Sequence, residues 1–85
     1  MEIVVHLSGH HAGAVGHYQH ALELLRDLGH SYHTADTLDR LGQSLATLGR
    51  HEQAREALRE ALGLYRAQQR VEEMTRAQEQ LDALG

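Results

Sequence analysis

Histidine is the most over-supplied reactive residue in this chain, with eight in 85 residues. His6 and His10, His17 and His20, and His30 and His33 stand three or four positions apart, and His10 adjoins His11. On a helix, such spacing puts two imidazoles on one face, within reach of a shared zinc or nickel ion. A structural site needs further ligands. Without cysteine these would have to be more histidine or carboxylate, as in His33 with Asp36. The plainer reading is surface histidine, and no metal or other cofactor is expected. A separate possibility is a pH response, since histidines with an ordinary pKa near ~6.5 gain charge as pH falls toward ~5.

Two other constellations could do chemistry. Asp36 and Asp39, three apart on one helical face, would suit a basic or polar peptide, or would form a solvated face balanced by Arg40. Ser31, His33 and Asp36 contain the residue types of a hydrolytic triad. They fall on one connector and helix start, where side chains splay apart and no oxyanion pocket is evident. Ser31 reads better as a residue preceding or capping a helix that begins near His33. The chain is not expected to be an enzyme.

Composition narrows the field further. The formal charge is −4, and the eight arginines are spread from Arg26 to Arg76 with no lysine, so no basic stripe is available for phosphates. Three tyrosines are the whole aromatic supply, too few for a base-stacking platform, so direct nucleic-acid binding is not expected. No cysteine means no disulfide or thiolate chemistry. No apolar run approaches the ~18 residues of a membrane span, and no signal peptide is evident, so a cytoplasmic location and no membrane partner are expected. No G-x4-G-K-[ST] phosphate loop exists.

Helices must position these residues. Apolar stripes at helical spacing run through Ala14, Tyr18, Ala21, Leu22, Leu25 and Leu28, then Ala35, Leu38, Leu41, Leu45 and Leu48. Further stripes run through Ala54, Leu58, Ala61, Leu62 and Tyr65, and through Val71, Met74, Ala77, Leu81 and Leu84. A shift of forty pairs Gly9 with Gly49, His11 with His51, Ala14 with Ala54, Ala21 with Ala61 and Leu22 with Leu62. A shift of thirty-six pairs Leu38 with Met74, Leu41 with Ala77, Leu45 with Leu81 and Gly49 with Gly85. Together they predict an all-α chain of about five helices: 2–8, 11–28, 33–48, 51–68 and 71–84. Gly9, Gly29, Gly49 and Gly85 are the predicted stops, and the link from Leu28 to His33 is predicted to be the longer one.

The run Leu38-x2-Leu41-Gly42-x2-Leu45, then Ala54-x3-Leu58-x2-Ala61, carries the strongest signal. Small residues at 42, 54 and 61 let two antiparallel helices approach while the leucines fill between them. This spacing resembles the tetratricopeptide repeat (TPR), with leucines replacing aromatics at 38, 45 and 58 and Arg66 standing where a late proline falls. The resemblance implies an antiparallel helix-pair solenoid, a right-handed superhelix of roughly two and a half repeats. Residues 1–85 would then be a single domain: 2–28 a partial first repeat, 33–68 the second, and 71–84 a third A helix or cap. It also implies a protein-binding or peptide-binding scaffold rather than a catalyst. By family orientation the groove residues would be Asp36, Asp39, Arg40, Gln43, Ala46 and Thr47. Segments such as Ala21–Gly29, Ala35–Gly42 and Leu48–Ala54 are similar to the repeats of actinobacterial transcriptional regulators of the Streptomyces antibiotic regulatory protein type and of NB-ARC and MalT-like signalling ATPases. That similarity implies a bacterial regulator whose repeat arm senses or assembles. The alternative is a self-assembly module, a homodimer or larger homo-oligomer, in which exposed Ile3, Val4, Val5 and Leu7 meet Met74 and Leu81 of another copy.

Overall fold

The computed structural model describes the backbone of residues 2–85 and the side chains of residues 10–85. Four helices follow one another: α1 (Glu2–Leu28), α2 (Ser31–Thr47), α3 (His51–Ala67) and α4 (Val71–Leu84). Each packs against the next in sequence, α1 on α2, α2 on α3 and α3 on α4. This is an all-α helical repeat of antiparallel pairs.

The three turns share one construction. Gly29, Gly49 and Gln69 take positive φ of 72°, 82° and 59°. Each of their N–H groups donates to the carbonyl three residues back: Arg26, Ala46 and Arg66. The next residue, His30, Arg50 or Arg70, donates its N–H to the carbonyl five back, at Leu25, Leu45 or Tyr65. This is the Schellman closure, which satisfies carbonyls that a helix end leaves orphaned. The same three residues are the N-caps of the following helices, and their carbonyls accept from Thr34, Ala54 and Met74. One residue therefore ends each helix and starts the next, giving a regular twenty-residue step from His30 to Arg50 to Arg70.

Two expectations are corrected. The link before α2 is no longer than the others, because α2 begins at Ser31 rather than His33 and is capped by His30 with no side-chain cap. The thirty-six-residue shift nonetheless gives the buried register of α4: Met74, Ala77, Leu81 and Leu84 take the buried or half-buried places that Leu38, Leu41, Leu45 and Leu48 hold in α2, and Gly85, like Gly49, has positive φ. Gly9 is not a stop: α1 runs unbroken through it, as do Gly13 and Gly16. A helical glycine costs about 1 kcal/mol relative to alanine, less than the backbone bonds forfeited by a break.

Helix α2 is the centre. It lies between α1 and α3 and buries Thr34, Ala35, Leu38, Asp39, Leu41, Gly42, Ser44 and Leu45. Helix α3 contributes Ala54, Ala57, Leu58, Ala61 and Tyr65, α1 contributes Val15 and Leu22, and α4 contributes Ala77. Leu28 and Val71, predicted on apolar stripes, are instead 69% and 67% exposed. They are the last residue of α1 and the first of α4, where the chain turns away from the neighbouring helix.

The tightest approach is at Gly42. A Cβ there would lie 2.6 Å from Leu58 Cγ, 2.9 Å from Leu58 Cδ2 and 3.4 Å from the Ala54 carbonyl oxygen. Leu58 is fully buried and cannot swing aside. Gly63 is also helical but its Cβ position is open.

These contrasts fix the sign of three substitutions. Gly63→Ala should stabilise by up to about 1 kcal/mol through helix propensity, whereas Gly42→Ala should destabilise by about 1–3 kcal/mol despite the same propensity gain. Urea unfolding of both variants checks this, and a Gly42→Ala protein as stable as the parent would rule out the close α2–α3 contact. Gln69→Gly should raise stability by about 1 kcal/mol, because only Gln69 pays for a Cβ in the left-handed region; an unchanged unfolding midpoint would count against that turn geometry.

Candidate functional site

The acidic pair on α2 faces two different environments. Asp39 is buried and accepts hydrogen bonds from the Tyr65 hydroxyl at 2.8 Å, from Gln43 Nε2 at 2.9 Å and, more distantly, from Gln80 Nε2 at 3.4 Å. Asp36, one turn earlier and half-buried, accepts from Arg70 at 2.8 Å, and the Tyr65 oxygen lies 3.2 Å away with its single proton directed mainly to Asp39. Arg70 also reaches Glu73 at 3.3 Å and the Tyr32 carbonyl at 3.3 Å. Its guanidinium carbon lies 3.8 Å from the Tyr32 ring centroid and 4.8 Å from that of Tyr65. The result is a knot joining α2, α3 and α4 through two carboxylates, a phenol and a guanidinium. Buried charge is tolerated only when paired or hydrogen-bonded; each residue here has such a partner, although Arg70 Nε has none among the described residues.

Asp39 is therefore committed inside the protein, and Asp36, with its side chain 36% exposed, is held by its neighbours. Asp39 is not the solvated groove residue that the family orientation implies, and Asp36 is neutralised by Arg70. The Ser31-His33-Asp36 arrangement also fails as a triad. Asp36 turns to Arg70 and Tyr65, while the His33 ring stacks on His30 with centroids 6.2 Å apart.

The remaining predicted groove residues lie together. Arg40, Gln43 and Thr47, with the buried Ser44, form one wall of a cleft of about 230 Å³. The other wall is α1, through His10, His11, Ala14 and Tyr18. Four-residue spacing along α2 sets Arg40, Ser44 and the neighbouring Gln43 and Thr47 on one edge. The Thr47 hydroxyl donates to the Gln43 carbonyl, and the Gln43 amide is held by Asp39, so this edge is fixed from beneath by the knot. His10 and His11 meet edge to face with centroids 6.0 Å apart, and His11 Nδ1 is buried without a hydrogen-bond partner among the described residues. Ala46 is half-buried beside the core and does not line the cleft.

Sequence reasoning missed Tyr65, Arg70 and Gln80 as polar partners and the α1 residues as a cleft wall. Tyr65 was legible as apolar core, but a buried tyrosine also needs a partner for its hydroxyl, and the two acids of the adjacent helix were available. The histidine pairs do not converge: among the described residues no group of three or more His, Asp or Glu is placed to hold a metal ion. Of the suggested assembly residues, Met74 and Leu81 are half-buried, with Met74 packed on the core. The side chains of Ile3, Val4, Val5 and Leu7 lie outside the described residues, as does that of His6. Among the described residues no helix is long and apolar enough to cross a membrane.

The sequence matches the family model of the tetratricopeptide repeat over residues 3–67, and the chain belongs to that family. No curated protein and no solved structure matches it. Tetratricopeptide repeats are generally non-catalytic scaffolds that bind proteins or peptides.

The knot carries a pH signature. Burial first, and then the hydrogen bond and charge of Asp39, push the Tyr65 phenol well above its ordinary 10.0. The folded chain thus keeps a proton that the unfolded chain releases. Stability from this interaction is complete below pH ~10 and declines as pH rises beyond it. Tyr65→Phe should cost about 1–3 kcal/mol at neutral pH by leaving Asp39 short of a donor, and should flatten the alkaline decline. Urea unfolding from neutral to alkaline pH tests both, and an equal alkaline slope in the two proteins would remove Tyr65 as its source.

Proposed function

We propose that the chain is a recognition scaffold whose cleft between α1 and α2 receives a peptide segment of a partner protein. The observation that carries this reading is the convergence of Arg40, Gln43 and Thr47, nominated by family orientation, onto one open cleft with a second polar wall from α1. Asp36 and Asp39 serve it indirectly, by fixing α2 from behind. Because tetratricopeptide repeats are generally non-catalytic scaffolds, the proposed role is binding and not turnover.

The wider setting follows the resemblance of Ala21–Gly29, Ala35–Gly42 and Leu48–Ala54 to repeats of actinobacterial regulators. In that setting the chain is a sensor or assembly arm of a bacterial transcriptional regulator in the cytoplasm. Its partner is protein rather than DNA. Self-assembly through Met74 and Leu81 is the weaker reading. Met74 is packed against the core and only partly exposed, and Leu81 does not line the nearby α3–α4 cleft with it.

A peptide library selected on the protein provides the test. Thr47 is exposed at the cleft and Arg59 is exposed on α3, away from it. Selected peptides should lose about tenfold or more in affinity on Thr47→Trp, which fills the cleft, and keep their affinity on Arg59→Trp. Equal binding by both variants would discard the cleft as the site.

A further inference from the structure

The chemistry of the cleft specifies its occupant further. We infer that it takes an acidic peptide segment, with a carboxylate side chain entering between Arg40 of α2 and the His10–His11 pair of α1. This rests on the peptide-binding reading above and reverses the charge that the bare acid pair suggests.

The first argument is composition. The chain carries twelve Asp and Glu against eight Arg. Yet among the described residues no acid lines this cleft, where the charged group is the Arg40 guanidinium and its neighbours are imidazoles and the hydroxyls of Tyr18, Ser44 and Thr47. In a chain of net charge −4, an acid-free cleft stands against the background.

The second argument is where the nearby acids went. Asp36 is paired with Arg70. Asp39 is buried and spends its oxygens on Tyr65 and Gln43. Arg40 makes no ion pair among the described residues, as is also true of Arg50, Arg59, Arg66 and Arg76, but it is the arginine that lines this cleft. A basic peptide would meet that guanidinium unscreened. An acidic one gains a charge-assisted hydrogen bond, bidentate where the fork is matched.

The third argument is the opposite wall. His10 and His11 both line the cleft across from Arg40, with ring centroids 6.0 Å apart. An imidazole N–H donates to a carboxylate oxygen, so both walls offer donors to an acid.

The test uses the full chain, isotopically labelled, and three decapeptide pools that carry central Asp and Glu, central Asn and Gln, or central Lys and Arg. The acidic pool should shift the amide signals of Ala14, Gln43 and Ser44. It should bind about tenfold or more tightly than the amide pool at low salt, and the gap should narrow as salt rises. Arg40→Gln should erase the preference, and Arg40→Glu should transfer it to the basic pool. An amide or basic pool that binds the same residues as well as the acidic pool overturns the charge inference while leaving the cleft as a peptide site. Failure of every pool to shift those residues removes the cleft reading and this inference with it. Displacement of the acidic pool by an equal concentration of oligothymidylate would assign the cleft to phosphate and overturn the acidic-peptide assignment.

Discussion

The approach of α2 to α3 at Gly42 governs the rest of the molecule. With hydrogen at this position, Leu58 can sit where a Cβ would be and Ala54 can bring its backbone close. Small residues at a helix crossing shorten the distance between axes and let ridges on one helix enter grooves on the other. That distance decides whether Tyr65, on α3, can place its hydroxyl between Asp36 and Asp39 of α2. A wider crossing would leave Asp39 buried without its best donor, a cost comparable to losing a large share of the stability of so small a chain. The apolar contact and the polar knot are thus two consequences of one spacing.

The knot in turn explains how a chain of negative net charge presents a cationic edge. Two acids on one face of α2 are drawn inward by a phenol and a guanidinium, leaving Arg40, Gln43 and Thr47 to face the cleft. Arg70 is well suited to this role because it can bond the carboxylate in its own plane while lying over the Tyr32 ring. A lysine would offer a point charge and lose the stacking. The same residue caps α4, so the ion pair also ties the final turn to α2.

Much of the scaffold was legible because its rules are local. Leu41-Gly42, Ala54, Leu58 and Ala61 announce a close helix pair, and Gly29 and Gly49 announce stops, since each residue type meets a steric demand at its own position. Gly9 shows the limit of that reasoning: glycine permits a left-handed turn but does not require one, and α1 continues through it. Gln69 is the converse, a left-handed turn made without glycine because the Schellman bonds on either side impose it. The site was less legible because it depends on pairs distant in sequence. Asp39 looks like a surface acid until Tyr65, 26 residues on, is brought against it. The α1 wall was hidden for the same reason, since His10 and His11 gain meaning only opposite Arg40.

The two walls of the cleft differ in how firmly they are held, and this bears on recognition. Helix α2 is clasped on both sides, by α1 and by α3, and its cleft-facing edge is braced by the Asp39–Gln43 bond. Helix α1 packs chiefly on α2, with an exposed Arg26–Glu60 pair linking it to α3. An exposed pair of that kind contributes at most about 1 kcal/mol. Gly13 and Gly16 also fall within the stretch of α1 that flanks the cleft, each lowering helix propensity by about 1 kcal/mol. For the proposed peptide, a fixed wall bearing the guanidinium and amide would set orientation and charge preference, while a more compliant wall bearing His10, His11 and Tyr18 would close on side chains of different size. Selectivity for charge combined with tolerance of shape is what a reused repeat scaffold needs when its partner presents a short segment of chain and not a rigid surface.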